Sequence, residues 1–351
     1  MTKLARKRTS GRGSRIFDEI ASLATEAVNP RTTKLDEVSV RRALELLNRE
    51  DRMVAPAVAS QLGRIARAVE MVVKALRRGG RVFYVGAGTS GRLGVVDAAE
   101  CPPTFGTPPT MFQGIIAGGP RAVFRAQENS EDRFAEARRV VARRVTARDV
   151  VVGLAACKRT PFVMAALGEA RRRGARTIYV TCNPRPLVPA PRSPGRAQGL
   201  ADVVIVVDVG PEPIMGSTRM KSGTAEKLVL NMISTVAMIK LGKVYGNLMV
   251  DLRATSEKLR QRSVRIIMLA TACSRAEARR LLRRAQGSVK VAIVMNLAGV
   301  DREGALSLLA RSDGSVKRTL ALAAQPKTSP PRKPKTGRRP AGHAGRHPAR
   351  A

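Results

Sequence analysis

Residues Arg81-Val82-Phe83-Tyr84-Val85-Gly86-Ala87-Gly88-Thr89-Ser90-Gly91-Arg92 decide the fold: a short apolar run breaks off into a loop with glycine at three of its first six positions. An apolar run of this length bounded by glycine reads as a buried strand, and the loop after it opens a helix. Four further runs, 111–117, 150–154, 177–181 and 203–209, have the same character, and helical stretches separate them. Strands alternating with helices predict an α/β fold with a doubly wound five-stranded parallel sheet. Upstream, apolar residues from Leu44 to Leu76 recur at steps of three and four until Gly79-Gly80, the pattern of N-terminal helices. Downstream, 220–270 returns to helix, and 274–322, punctuated by Gly287, Gly299 and Gly314, reads as a small C-terminal helical module. The expected organisation is a basic disordered tail over 1–15, the α/β domain with its N-terminal helices over 16–265, the helical module over 266–325, and a disordered basic Pro-rich tail over 326–351.

Composition narrows the chemistry. A chain of 351 residues that is 44% hydrophobic can bury a large core. No apolar run approaches the ~18 residues of a membrane span, and no apolar stretch follows the basic N-terminus, so a cytoplasmic protein is expected. The four cysteines (Cys101, Cys157, Cys182, Cys273) are scattered, without the spacing of a zinc site or a disulfide framework. Both histidines, His343 and His347, fall in the C-terminal tail. The folded body therefore has no histidine general base and no Ser-His-Asp triad, and no metal site is expected in it.

The net charge of +37 raises the question of nucleic acid. Six Lys/Arg lie in 1–15 and eight in 327–351, so of the 64 basic residues 50 remain in the body against 27 acidic ones. Much of that excess sits in runs such as Arg138-Arg139 and Arg171-Arg172-Arg173, the pattern of a solvated helix face, and no aromatic residues interleave to stack on bases. Nucleic-acid contact is weakly favoured and confined to the basic tails.

In such sheets ligands bind beyond the carboxyl ends of the strands. Gly88, Thr89, Ser90 and Arg92 follow the first strand, where free backbone N–H groups, hydroxyls and a helix dipole suit a phosphate. Gly86, Gly88 and Gly91 also match the dinucleotide pattern GxGxxG, but no acidic ribose ligand follows the second strand; a merely tight β-α turn is the plainer alternative. Two sets of acids lie near this loop: Glu100, in Asp97-Ala98-Ala99-Glu100-Cys101-Pro102-Pro103, where the double proline is expected to break the helix, and Glu128, Glu131 and Asp132 after the second strand. Acids beside a phosphate loop suit proton transfer better than binding, although a surface acid and helix-dipole partners would account for them equally. After the fifth strand, Ser217, Thr218, Arg219 and Lys221 at a helix start form a second anion-binding candidate.

At these residues the chain resembles the N-acetylmuramic acid 6-phosphate etherases, which have the sugar isomerase phosphosugar-binding fold. The resemblance runs through Thr25-Glu26, Asn29-Pro30-Arg31-Thr32, Glu50-Asp51, 86–92, 97–105, Ala117-Gly118-Gly119, Glu131-Asp132, Arg159-Thr160-Pro161, 216–225, Leu230-Asn231-Met232 and 246–251, and spans about 22–322. Both tails and the Pro/Arg-rich stretch 184–199 lie outside it. The resemblance implies cleavage of the D-lactyl ether to give N-acetylglucosamine 6-phosphate and D-lactate, without a cofactor, in a homodimer. It implies Glu100 as the proton donor to the departing lactate and Glu131 as the second essential acid. Phosphosugar contacts fall on Gly88, Thr89, Ser90, Arg92, Cys157, Lys158, Arg159, Thr160, Ser217, Thr218, Arg219 and Lys221. The vertebrate glucokinase regulatory protein shares several motifs, which keeps a non-catalytic sugar-phosphate sensor as the alternative. Cys157-Lys158 stand where the family usually has Ser-Gly; Lys158 either replaces the lost hydroxyl donor with charge or fills the loop. Ser222, Glu226 and Ser256 replace the family's Ala, Gln and Asn.

Overall fold

A computed structural model of the chain describes residues 20–157, 160–184, 199, 201–252, 254 and 256–325. The two tails, Lys158, Arg159 and most of the stretch 184–199 lie outside the described residues. Three helices lead in: α1 (Val40–Asp51), α2 (Val54–Ala59) and α3 (Leu62–Arg77). The sheet strands are β1 (Val82–Gly86), β2 (Phe112–Ile116), β3 (Val150–Leu154), β4 (Arg176–Thr181) and β5 (Val203–Val206). Between and after them run α4 (Gly88–Phe105), α5 (Arg121–Phe124), α6 (Phe134–Arg144), α7 (Pro161–Arg172) and α8 (Lys221–Lys240). A short hairpin, β6 (Val244–Tyr245) and β7 (Leu248–Met249), precedes α9 (Glu257–Thr271), α10 (Arg275–Arg284), α11 (Val289–Ala298), α12 (Arg302–Arg311) and α13 (Val316–Ala323).

The five strands pair in the order β2-β1-β3-β4-β5, all parallel. Alternation along β1 sends Val82 and Tyr84 into a core shared with α3, α4 and α8, and Phe83 and Val85 into one shared with α6 and α7. Both faces are covered, as a parallel sheet requires. Chain order reverses between β1 and β3, so the crevice at their carboxyl ends is the topological switch point where ligands bind. The C-terminal helices pack around their own cluster, with Ile267, Leu281, Ala292, Ile293 and Val316 at its centre.

Two local expectations are corrected. The double proline does not break α4, which runs through Pro102 and Pro103 to Phe105 and stops at Gly106 in the left-handed conformation. Proline removes its own N–H bond, and in a last turn that costs two bonds while leaving the Gly106 N–H to close on the Pro102 carbonyl at 3.0 Å. The stretch 220–270 is not continuous helix, because the β6-β7 hairpin turns at Gly246-Asn247. α8 ends at Lys240, closed by left-handed Gly242 with φ of 72°, and Gly246, with φ of 57°, makes the hairpin turn.

Candidate active site

The loop after β1 is fixed by two glycines that touch. A Cβ on Gly91 would lie 2.7 Å from the Gly86 carbonyl oxygen and 2.7 Å from Ile116 Cγ1, so only glycine lets α4 start this close to the strand ends. Behind the loop, the Tyr84 hydroxyl donates to Asp97 Oδ2 at 2.8 Å and the Ser234 hydroxyl to Asp97 Oδ1 at 3.1 Å, locking α4 to β1 and α8. Burial pushes the Asp97 carboxyl up from its usual value, and these two donors counter it.

The start of α4 is open. Its N-cap, Ala87, has no side chain to cap it, and the first intrahelical bond is from the Gly91 N–H. The N–H groups of Gly88, Thr89 and Ser90 therefore lack the i−4 partner that later turns enjoy, at the positive end of the helix dipole. Gly88 is exposed and Thr89 half-buried, so an anion can reach them.

The start of α8 is closed, against the sequence-based expectation of a second anion site. The buried Glu212 carboxylate accepts from the Lys221 and Ser222 N–H groups, both at 2.9 Å, and already occupies that helix end. Lys221 does not face the crevice either. Its ammonium is fully buried and donates to Glu50 Oε2 at 2.8 Å and to the Val209 carbonyl at 2.8 Å. Glu50 also takes the guanidinium of Arg31 and the Asn29 amide. Led by Arg31, these donors hold its carboxyl down at about 2. Lys221 is thus part of a buried frame that ties the N-terminal segment to the loop after β5. Thr32 Oγ1 donating to the Pro213 carbonyl and the Gly216 N–H donating to the Thr25 carbonyl extend that frame.

Ser217 and Thr218 are half-buried and Arg219 is exposed. They come to the β1 loop through Gly223, where a Cβ would lie 3.4 Å from both Thr89 Cγ2 and the Thr218 carbonyl oxygen. A direct link joins the same elements: the Ser90 hydroxyl lies 3.0 Å from Glu226 Oε1. Arg92 spends its Nε on the Val123 carbonyl at 2.9 Å, bracing α5 against α4. Thr160, buried, and Cys157, half-buried, sit at the end of β3 beside the start of α7.

Glu131 and Glu100 are placed differently. The Phe162 N–H in the first turn of α7 donates to the Glu131 carbonyl, setting Glu131 at the carboxyl end of β3. Glu131 is exposed, and partial burial, then the charges of Asp132 and Glu128, push its carboxyl above the usual value. Glu100 is exposed on α4, twelve residues beyond Gly88, which at 1.5 Å per residue is about 18 Å along the axis from the loop. The structure does not bring Glu100 to the loop after β1. Counting residues from Gly88 would have exposed this in the sequence, once the helix was known to continue. The roles of Glu50, Glu212 and Asn29 left a fainter trace; only Glu212, held between Pro211 and Pro213, stands out. An apolar groove of about 830 Å³ between α3 and α8, lined by Leu62, Ile65, Val69, Val73, Met232 and Val236, is separate from all of these residues.

Sheet order and the switch-point loop define a doubly wound α/β domain with a candidate anion-binding crevice. The profile of the glucokinase regulatory protein N-terminal SIS domain matches residues 64–171. The chain is 53% identical over 282 residues to the N-acetylmuramic acid 6-phosphate etherase of Symbiobacterium thermophilum, covering 80% of this chain and 91% of that protein. It is 54% identical over 291 residues to that of Salinibacter ruber, covering 82% and 90%. Among solved structures, the phosphoheptose isomerase of Neisseria gonorrhoeae aligns with a TM-score of 0.39 and 18% identity, over 56% of this chain and 98% of that one. The chain belongs to the N-acetylmuramic acid 6-phosphate etherase family.

Proposed function

We propose that the protein is an N-acetylmuramic acid 6-phosphate etherase, a carbon-oxygen lyase that yields N-acetylglucosamine 6-phosphate and D-lactate. The observation that carries this reading is the pairing of an open helix start at the switch point with an acid of raised pKa, Glu131, at the neighbouring strand end. The phosphate binds the N–H groups of Gly88, Thr89 and Ser90, with the hydroxyls of Thr89, Ser90, Ser217 and Thr218 around it and Cys157 and Thr160 completing the cradle. Arg92 and Arg219 add positive charge.

The opened sugar presents an aldehyde at carbon 1, which acidifies the proton on carbon 2. Glu131 takes that proton, and the electron pair expels the lactyl oxygen from carbon 3, to which Glu100 gives its own proton. Glu100, now a carboxylate, deprotonates a water that adds to carbon 3 of the unsaturated aldehyde, and Glu131 returns its proton to carbon 2. Substrate and one water become the two products, and both acids regain their starting states.

Because Glu100 is about 18 Å from its own loop, the acid that serves a given site comes from the other subunit of a symmetric homodimer. A monomer with full activity by light scattering at micromolar concentration would overturn this arrangement. The activity is tested by supplying N-acetylmuramic acid 6-phosphate and assaying D-lactate. Glu100→Gln should cut lactate release ~10²–10⁴-fold, the usual loss of a general acid, with phosphosugar affinity unchanged. Binding without lactate release by the wild-type protein would favour the sugar-phosphate sensor. No helix among the described residues is long and apolar enough to cross a membrane.

A further inference from the structure

Against the loop after β1 lies a buried acid that the reaction does not use. Glu226, in the second turn of α8, is 1% exposed, and its Oε1 lies 3.0 Å from the Ser90 hydroxyl. Its Oε2 is buried and has no hydrogen-bond partner among the described residues, and the same holds for the hydroxyl of Ser222 one turn earlier. A buried carboxylate with one free oxygen and one neutral donor is poorly solvated, whereas a neutral carboxylic acid in the same place leaves far less charge uncompensated.

The described groups around it supply no counter-charge. From α4 the polar contact is Ser90. From β4 and the residue after it come Tyr179 and Cys182, both of which burial pushes up and so keeps neutral, with Cys157 beside Tyr179 and Asp208 and Glu212 beyond Cys182. Lys221 on the same helix is spent on Glu50. Among the described residues no ion pair reaches Glu226.

We infer that Glu226 is a positioning residue whose carboxyl sets the direction of the Ser90 hydroxyl, so that the loop binds a phosphosugar tightly while Glu226 is protonated and weakly once it is ionised. A serine hydroxyl has one hydrogen to give. With Glu226 protonated, the acid donates to Ser90 Oγ, and the Ser90 hydrogen is free for a phosphate oxygen. With Glu226 ionised, the carboxylate can only accept, so Ser90 turns its hydrogen inward and presents lone pairs to the phosphate. Burial, opposed by the Ser90 contact, pushes the Glu226 carboxyl up to about 8. The inference rests on Ser90 touching the phosphate.

The test is calorimetric titration with N-acetylglucosamine 6-phosphate between about pH 7 and 9.5, where a phosphate monoester is already dianionic. Wild-type affinity should fall by roughly 10- to 100-fold across this range, the worth of one hydrogen bond to a charged group. Glu226→Gln, with no proton to lose, should bind with an affinity that does not change with pH. Ser90→Ala should be equally flat, at the weak level the wild type reaches at the alkaline end. A wild-type profile that is flat overturns the inference, as does a Gln variant that keeps the wild-type fall. Ser90→Ala binding as tightly as the wild type at pH 7 removes instead the reading of Ser90 as a phosphate contact, and the inference with it.

Discussion

Glu50 and Lys221 show how one residue can look like a ligand and serve as scaffold. In sequence, Lys221 follows two hydroxyls and an arginine at a helix start, which is the chemistry of an anion site. In the structure Glu50, from a helix more than 150 residues earlier, has taken its ammonium. No local pattern announces a partner at that distance, and this is why a helix opening at Gly88 after the first strand was legible in the sequence while the burial of Lys221 was not. The pair has a measurable consequence. Glu50→Gln leaves the Lys221 ammonium buried without its counter-charge and should destabilise the protein by about 3 kcal/mol or more, read from urea midpoints at neutral pH. The pH dependence has a definite sign. The Glu50 carboxyl is held below its unfolded value, so its stabilisation is complete above the unfolded value of 4.5 and is lost as pH falls toward about 2. In that acid window the stabilities of wild type and variant should converge.

At the scale of elements, the central strands β1 and β3 were readable because each is buried on both faces and so forms an unbroken apolar run between turn signals. Ends of elements were harder. The fate of a helix terminus depends on what the rest of the fold brings to it: α8 receives Glu212, α4 receives nothing, and the sequence of neither start says which. The double proline misled for a related reason, since its cost depends on whether bonds remain to be lost beyond it. The contact between α4 and β1 is where this scale can be tested. Gly91→Ala places a methyl 2.7 Å from backbone at Gly86 and from Ile116. An overpacked site of this kind should cost about 1–3 kcal/mol. More tellingly, the first turn of α4 must shift away from β1, so phosphosugar binding should fall further than the loss of stability explains. Gly63→Ala, in α3 with open space around its Cβ position, is the matched control and should leave both intact.

The whole molecule raises a question that one chain does not answer, because its two proposed acids do not meet. Glu131 stands at the crevice, and Glu100 faces outward about 18 Å along α4 from the loop. A two-fold axis that lays α4 of one subunit over the crevice of the other would give each site Glu131 from one chain and Glu100 from its partner. Differently tagged Glu100→Gln and Glu131→Gln chains, co-expressed and purified as the mixed dimer, test this. Each parent homodimer lacks one acid at both sites and should be almost inactive. In the mixed dimer one site collects both substitutions and the other collects neither, so lactate release should recover to about half that of the wild type, as two-fold symmetry dictates. If both acids of a site came from the same chain, every site of the mixed dimer would carry one substitution, and activity would stay at the level of the parents. Recovery therefore cannot arise from a site built within one subunit, and its absence in a dimer of intact fold would rule out the shared site.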